Sequence, residues 1–104
     1  MEQRKHPRFA VQFPAWFAEE HREGEGKAWN LSTGGCAIES ETPLPVGSYV
    51  KMRLSLPNEA TPILVEVAAV RWSNPQGFGV EFIGIPEDDQ KRLQRFVAGL
   101  VQPT

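Results

Sequence analysis

Along most of this chain apolar side chains alternate with other residues, and the period is two, that of a β-strand with one buried face. Phe9, Val11, Phe13, Ala15 and Phe17 share one side of a first strand, with Ala10, Gln12, Pro14, Trp16 and Ala18 on the other. Pro14 has no N–H to give to a ladder, so this strand lies at an edge or carries a bulge there. Glu19 to Gly26 is charged and includes Gly24 and Gly26, which reads as a hairpin connection into a short second strand over Lys27–Leu31. The run from Gly35 to Ser40 is a third strand. After a turn rich in proline and glycine over 41–48, Val50, Met52, Leu54 and Leu56 face inward while Tyr49, Lys51, Arg53 and Ser55 face outward. Ile63 to Trp72 is nearly all apolar, as expected of a strand that is buried on both faces or closes a barrel. Beyond the turn at 73–77, Phe78, Val80 and Phe82 resume the alternation.

The period then changes. Pro86 suits the first position of a helix, and Glu87, Asp88 and Asp89 suit its positive end. Leu93, Phe96, Val97, Leu100 and Val101 form a stripe of helical spacing, so a helix is expected over 86–101 with one face against the strands. The predicted architecture is mainly β: a six-stranded antiparallel barrel with a carboxyl-terminal helix packed on it. A length of 104 residues with 40% hydrophobic content allows one such core and not two.

Charge and special residues narrow the chemistry. Eleven Lys and Arg against 13 Asp and Glu give a net charge of −2, which disfavours a protein that coats nucleic acid or an anionic membrane. Arg4, Lys5 and Arg8 nevertheless cluster at the amino end, while Glu19, Glu20, Glu23 and Glu25 cluster elsewhere, a distribution better matched to a small anion than to a polyanion. No run is long and apolar enough to span a bilayer and no signal peptide is evident, so the expected compartment is the cytoplasm. Cys36 has no second cysteine to pair with, and His6 and His21 have no metal-ligand spacing; Cys36 is expected to be a small buried apolar residue. No nucleophile–base set, paired carboxylate motif or phosphate loop is present, so the chain is not expected to be an enzyme and no cofactor or metal is implied.

Two stretches carry candidate binding chemistry. Asn30-Leu31-Ser32-Thr33-Gly34-Gly35 is a polar turn between the aromatic Trp29 and the apolar Cys36-Ala37-Ile38, and its Asn, Ser and Gly residues present donors and acceptors close to the main chain. Upstream, Arg4-Lys5-His6-Pro7-Arg8 offers guanidinium forks, which clamp a phosphate, bond the O6 and N7 edge of guanine, or stack on a purine face.

The first of these fits [D/N]-x-S-x-x-G and the second R-x-x-x-R. With Val70-Arg71-Trp72 and Gly79-Val80-Glu81-Phe82 as closing strands, the chain resembles a PilZ domain over almost its whole length. That resemblance implies a PilZ-like barrel of split-barrel type that binds the bacterial second messenger cyclic di-GMP. It further implies ligand-binding roles for Arg4, Arg8, Asn30, Ser32, Gly34 and Gly35. Lys5, as an auxiliary charge, and Arg71, Trp72 and Gly79 form a second tier, with Gly79 equally well explained as making room for a bulky neighbour. Residues 1–8 are expected to be a flexible arm and 9–102 the barrel domain. Ordering residues 4–8 costs at least about 5 kcal/mol at about 1 kcal/mol each. Several charge-assisted hydrogen bonds of about 1.5–3 kcal/mol each offset that. The arm would then order on ligand and alter contact with an unidentified downstream protein. Two rival readings are a PilZ-like scaffold that binds protein and no nucleotide, and a small barrel that binds nucleic acid.

Overall fold

Each alternating run becomes a strand in the computed structural model, which describes residues 7–100. In chain order these are β1 (Phe9–Ala18), β2 (Glu23–Leu31), β3 (Gly35–Glu39), β4 (Tyr49–Leu54), β5 (Ile63–Asn74) and β6 (Gly77–Gly84), followed by α1 (Glu87–Leu100). All neighbouring pairs are antiparallel and the sheet closes on itself in the order β1-β2-β3-β6-β5-β4. Arg4 and Lys5, with most of the amino-terminal arm, and Val101 at the end of the expected helix lie outside the described residues.

Closure leaves no long unpaired edge, and β1 accommodates its proline locally. Only Ala15–Ala18 pair with β4, so Pro14 stands where the two strands part. Its carbonyl accepts the Ser55 N–H at 3.0 Å. A bulge interrupts the β1–β2 register between Ala10 and Phe13. β2 is longer than the sequence pattern suggests and begins at Glu23, not Lys27. Glu23-Gly24-Glu25-Gly26 does alternate, but its inward positions carry no side chain. Phe17 and the Thr42 hydroxyl fill the space at Gly24, where an added Cβ would lie 3.0 Å from the ring, and Ile38 with the Glu39 carbonyl fills it at Gly26, where the Cβ would lie 2.7 Å from the Ile38 side chain. The apolar half of the alternation is supplied by neighbouring strands.

The barrel interior holds Phe17 and Phe78 edge to face at 4.9 Å, with Leu31, Ile38, Met52, Leu54, Ile63, Val65 and Val70 around them. β5 closes the barrel and is not buried on both faces, since Glu66 and Val67 are exposed. The helix inserts Leu93 and Val97 into the core and sets Phe96 edge-on to Phe13 at 6.4 Å. Its first half is tied down: the Asp89 carboxylate accepts the Leu64 N–H at 2.7 Å, and Arg92 donates to Glu59 and to the Thr61 and Pro62 carbonyls. Leu100 keeps 36% of its surface exposed, so the fully buried stripe is narrower than its spacing suggests. No helix among the described residues is long and apolar enough to cross a membrane.

Candidate functional site

The outer face of β2, β3, β6 and β5 is organised by two bulges. Ala28 opposes Ile38 and Asn30 opposes Ala37, which leaves Trp29 as an extra residue on β2. Val70 opposes Val80 and Trp72 opposes Gly79, which leaves Arg71 as an extra residue on β5. A bulge turns two consecutive side chains toward one face, so Trp29 with Asn30, and Arg71 with Trp72, all reach the outside. Between them the β3–β6 pair contributes Ala37, Gly77 and Gly79, which add almost no side-chain bulk. The result is a trough two strands wide, with an aromatic and a polar residue on each bank. Around the curved barrel wall β2 and β5 are three inter-strand steps apart, an arc of roughly 14 Å at about 4.8 Å each.

One cross-barrel row carries most of the expected site. Ala10, Asn30, Ala37, Gly79 and Trp72 stand opposite one another in that order. Arg8, at the entrance to β1, donates from Nη1 to the Asn30 Oδ1 at 2.9 Å across 22 residues of sequence. The two motifs therefore meet. Because this contact is exposed, it is worth about 1 kcal/mol or less and is readily exchanged for a ligand atom.

The turn behind Asn30 is fixed from inside. Ser32 is 1% exposed, and its hydroxyl accepts the N–H groups of Gly34 at 3.0 Å and Gly35 at 3.1 Å. Its own N–H bonds the Gly35 carbonyl at 2.9 Å, and the Gly34 carbonyl accepts from Phe82 at 2.8 Å. Ser32 is thus committed to the turn, holding Asn30 and Thr33–Gly34 in place, and does not present its hydroxyl outward. Gly35 has an equally local reason: a Cβ there would collide with the Val80 carbonyl oxygen of β6.

On the far bank, a Cβ at Gly79 would strike the Trp72 indole, which lies over it. Gly79 makes room for a bulky neighbour, and Trp72 keeps 40% of its surface exposed. Arg71 pairs with Glu81, Nη2 to Oε1 at 2.6 Å and Nε to Oε1 at 2.8 Å, so its charge is already partly answered. Below the turn, burial pushes the Cys36 thiol up to about 12, with the nearby Arg8 charge acting weakly in the opposite direction. That thiol is an inert core group. No cluster of His, Cys, Asp or Glu able to hold a metal ion occurs among the described residues.

Of the expected residues, Asn30, Gly79 and Trp72 lie along one row, with Arg8 bonded to Asn30 at its end, Ser32, Gly34 and Gly35 in the turn supporting it and Arg71 beside it. Arg4 and Lys5 fall outside the described residues. The sequence pattern did not identify Trp29, Ala37 or Glu39 as part of this surface. The available signal was the broken alternation at Ala28-Trp29-Asn30-Leu31, which marks a bulge.

The family model described as PilZ domain matches residues 2–99. Among solved structures the chain is similar to the inhibitor of motility MotI (DgrA) of Bacillus subtilis, at 21% identity and a TM-score of 0.76, over 95% of this chain and 51% of that one. It is similar to MrkH of K. pneumonia, solved as a complex with cyclic di-GMP, at 20% identity and 0.76, over 97% and 52%. It is also similar to the PilZ domain of CeSA from a cellulose-synthesizing bacterium, at 23% identity and 0.69, over 92% and 99%. At these identities the likeness is one of fold, and the chain spans about half the length of MotI and of MrkH. No curated protein matches the sequence.

Proposed function

The chain belongs to the PilZ domain family, a family of cyclic di-GMP receptors, and on that premise we propose that its outer trough binds cyclic di-GMP and that the amino-terminal arm closes over the ligand. The observation that carries this reading is the Arg8–Asn30 contact, which joins the two motifs at the edge of a trough floored by Ala37 and Gly79. Arg8 supplies a planar fork suited to a phosphate or to the O6 and N7 edge of guanine. Asn30 supplies a carbonyl acceptor for guanine N–H groups without adding negative charge beside an anion. The Trp72 indole lies over Gly79 and, with 40% of its surface exposed, offers a flat ligand a stacking face at the far end.

Arg4 and Lys5 precede Arg8 by four and three residues, a reach of at most about 14 Å for Arg4 in extended chain. From Arg8, at the entrance to β1, that reach covers the near bank of the trough, so ligand phosphates would draw the arm toward it. The closed arm would create a new surface for a partner protein, a disorder-to-order switch. Chemical-shift mapping with cyclic di-GMP tests this. Shifts should concentrate at Arg8, Asn30, Thr33–Ala37, Gly79 and Trp72, sparing α1. No shifts at high micromolar ligand, or shifts confined to the helix, would overturn the reading.

A further inference from the structure

Beside the Arg8–Asn30 contact, two residues further along β3, lies a depression of about 300 Å³ of which the expected site residues supply only Trp72. It is lined by Trp29 from β2, Glu39 from β3, Trp72 and Asn74 from β5, and Gln76 and Gly77 from the β5–β6 turn. Its banks are the two bulge-exposed indoles, 48% and 40% exposed, and its floor is the β3–β6 backbone at Ile38 and Gly77. Glycine at 77 is required there, because a Cβ would collide with the Ile38 carbonyl. The turn is held in shape by Asn74, whose Oδ1 accepts the N–H groups of Gln76 at 2.8 Å and Gly77 at 3.0 Å.

We infer that the depression between Trp29 and Trp72 is a guanine-base subsite, with the Glu39 carboxylate reading the base. The inference rests on the reading that this face binds cyclic di-GMP and assigns a place to one of its two bases. Aromatic banks on a glycine floor suit a flat heterocycle, since indole faces stack on any base. Guanine presents adjacent N1–H and N2–H donors on one edge, and a carboxylate accepts both together. Adenine presents an acceptor at the corresponding position and would face Glu39 lone pair to lone pair. The surrounding charge also orients the ligand. The adjoining depression of about 770 Å³ is bordered by Glu25, Glu39 and Glu41 against Lys27. Phosphates are repelled from this end and attracted to Arg8 at the other. A cyclic dinucleotide therefore lies with its phosphates toward the arm and a base toward Glu39.

The experiment uses indole N–H signals of 15N-tryptophan-labelled protein, with 5′-GMP and 5′-AMP as millimolar probes and cyclic di-GMP as the full ligand. Trp16, on the outer face of β1 and bonded through Nε1 to Glu23 at 3.1 Å, is an internal control. GMP should shift the Trp29 and Trp72 signals and leave Trp16 unmoved, AMP should shift none, and Glu39→Gln should weaken GMP and cyclic di-GMP binding about 10- to 100-fold. Equal responses to GMP and AMP, or unchanged affinity in Glu39→Gln and Trp29→Ala, would overturn the subsite. If cyclic di-GMP still binds in an Arg8-dependent way, that result leaves the receptor reading standing. Loss of both responses in the wild-type protein overturns the two together.

Discussion

Replacing Ser32 with alanine separates a residue that holds the motif from residues proposed to touch ligand. The Ser32 hydroxyl accepts the Gly34 and Gly35 N–H groups at 3.0 and 3.1 Å in a position that is 1% exposed. Without it both donors lose their acceptor. Gly35 is buried and Gly34 half-buried, so water compensates mainly the second. At about 1–3 kcal/mol for each buried donor left unmet, and less for Gly34, the expected loss is about 2–4 kcal/mol. For a domain of this size that lowers Tm by roughly 10–20 °C. Asn30→Ala, which removes an exposed contact on the same turn, should cost about 1 kcal/mol or less. Urea unfolding followed by far-ultraviolet circular dichroism measures both, with an unchanged m-value expected. A Ser32→Ala variant within about 0.5 kcal/mol of wild type would refute the assignment of this hydroxyl to the turn.

Two glycines should behave oppositely. Gly35→Ala drives a methyl into the Val80 carbonyl and should cost about 1–3 kcal/mol by forcing β3 from β6, whereas Gly79→Ala displaces only the movable Trp72 indole. The second variant should stay within about 1 kcal/mol of wild type in urea unfolding while changing Trp72 emission and weakening ligand binding. Cys36 should resist thiol reagents in the native state. Its raised pKa means that above pH 9 the unfolded thiol releases a proton which the folded one keeps. The Cys36 contribution to stability should therefore be flat below about pH 9 and fall by about 1.4 kcal/mol per unit toward pH 12, a component missing from Cys36→Ala. Arg92→Ala should cost about 1–2 kcal/mol by untying α1 from Glu59 and the 61–62 carbonyls, seen as faster amide exchange in the helix.

The strands were legible because their cores follow a strict period: Val50, Met52 and Leu54 inward against Lys51 and Arg53 outward leaves one possible register. The start of β2 was not, because Gly24 and Gly26 stand at its inward positions and the filling side chains, Phe17 and Ile38, come from other strands. The same limit applies at the site. Arg8 and Asn30 are recognisable by type and spacing, but their contact depends on a β1–β2 pairing that puts Ala10 opposite Asn30. Ser32 has the residue type of a ligand contact, and only burial reveals that its hydroxyl serves the turn. Trp29 and Glu39 become neighbours of Trp72 through the β2-β3-β6-β5 order, which no local pattern encodes.

If Arg8 and Asn30 bind cyclic di-GMP together, calorimetric titration of wild type, Arg8→Ala and Asn30→Ala, with GTP as control, will show it. Saturable heat in the wild type is predicted, with an affinity near micromolar or better, about −8 kcal/mol, strong loss in Arg8→Ala and partial loss in Asn30→Ala. No heat from the folded wild-type protein, or equal heat from wild type and Arg8→Ala, would contradict it.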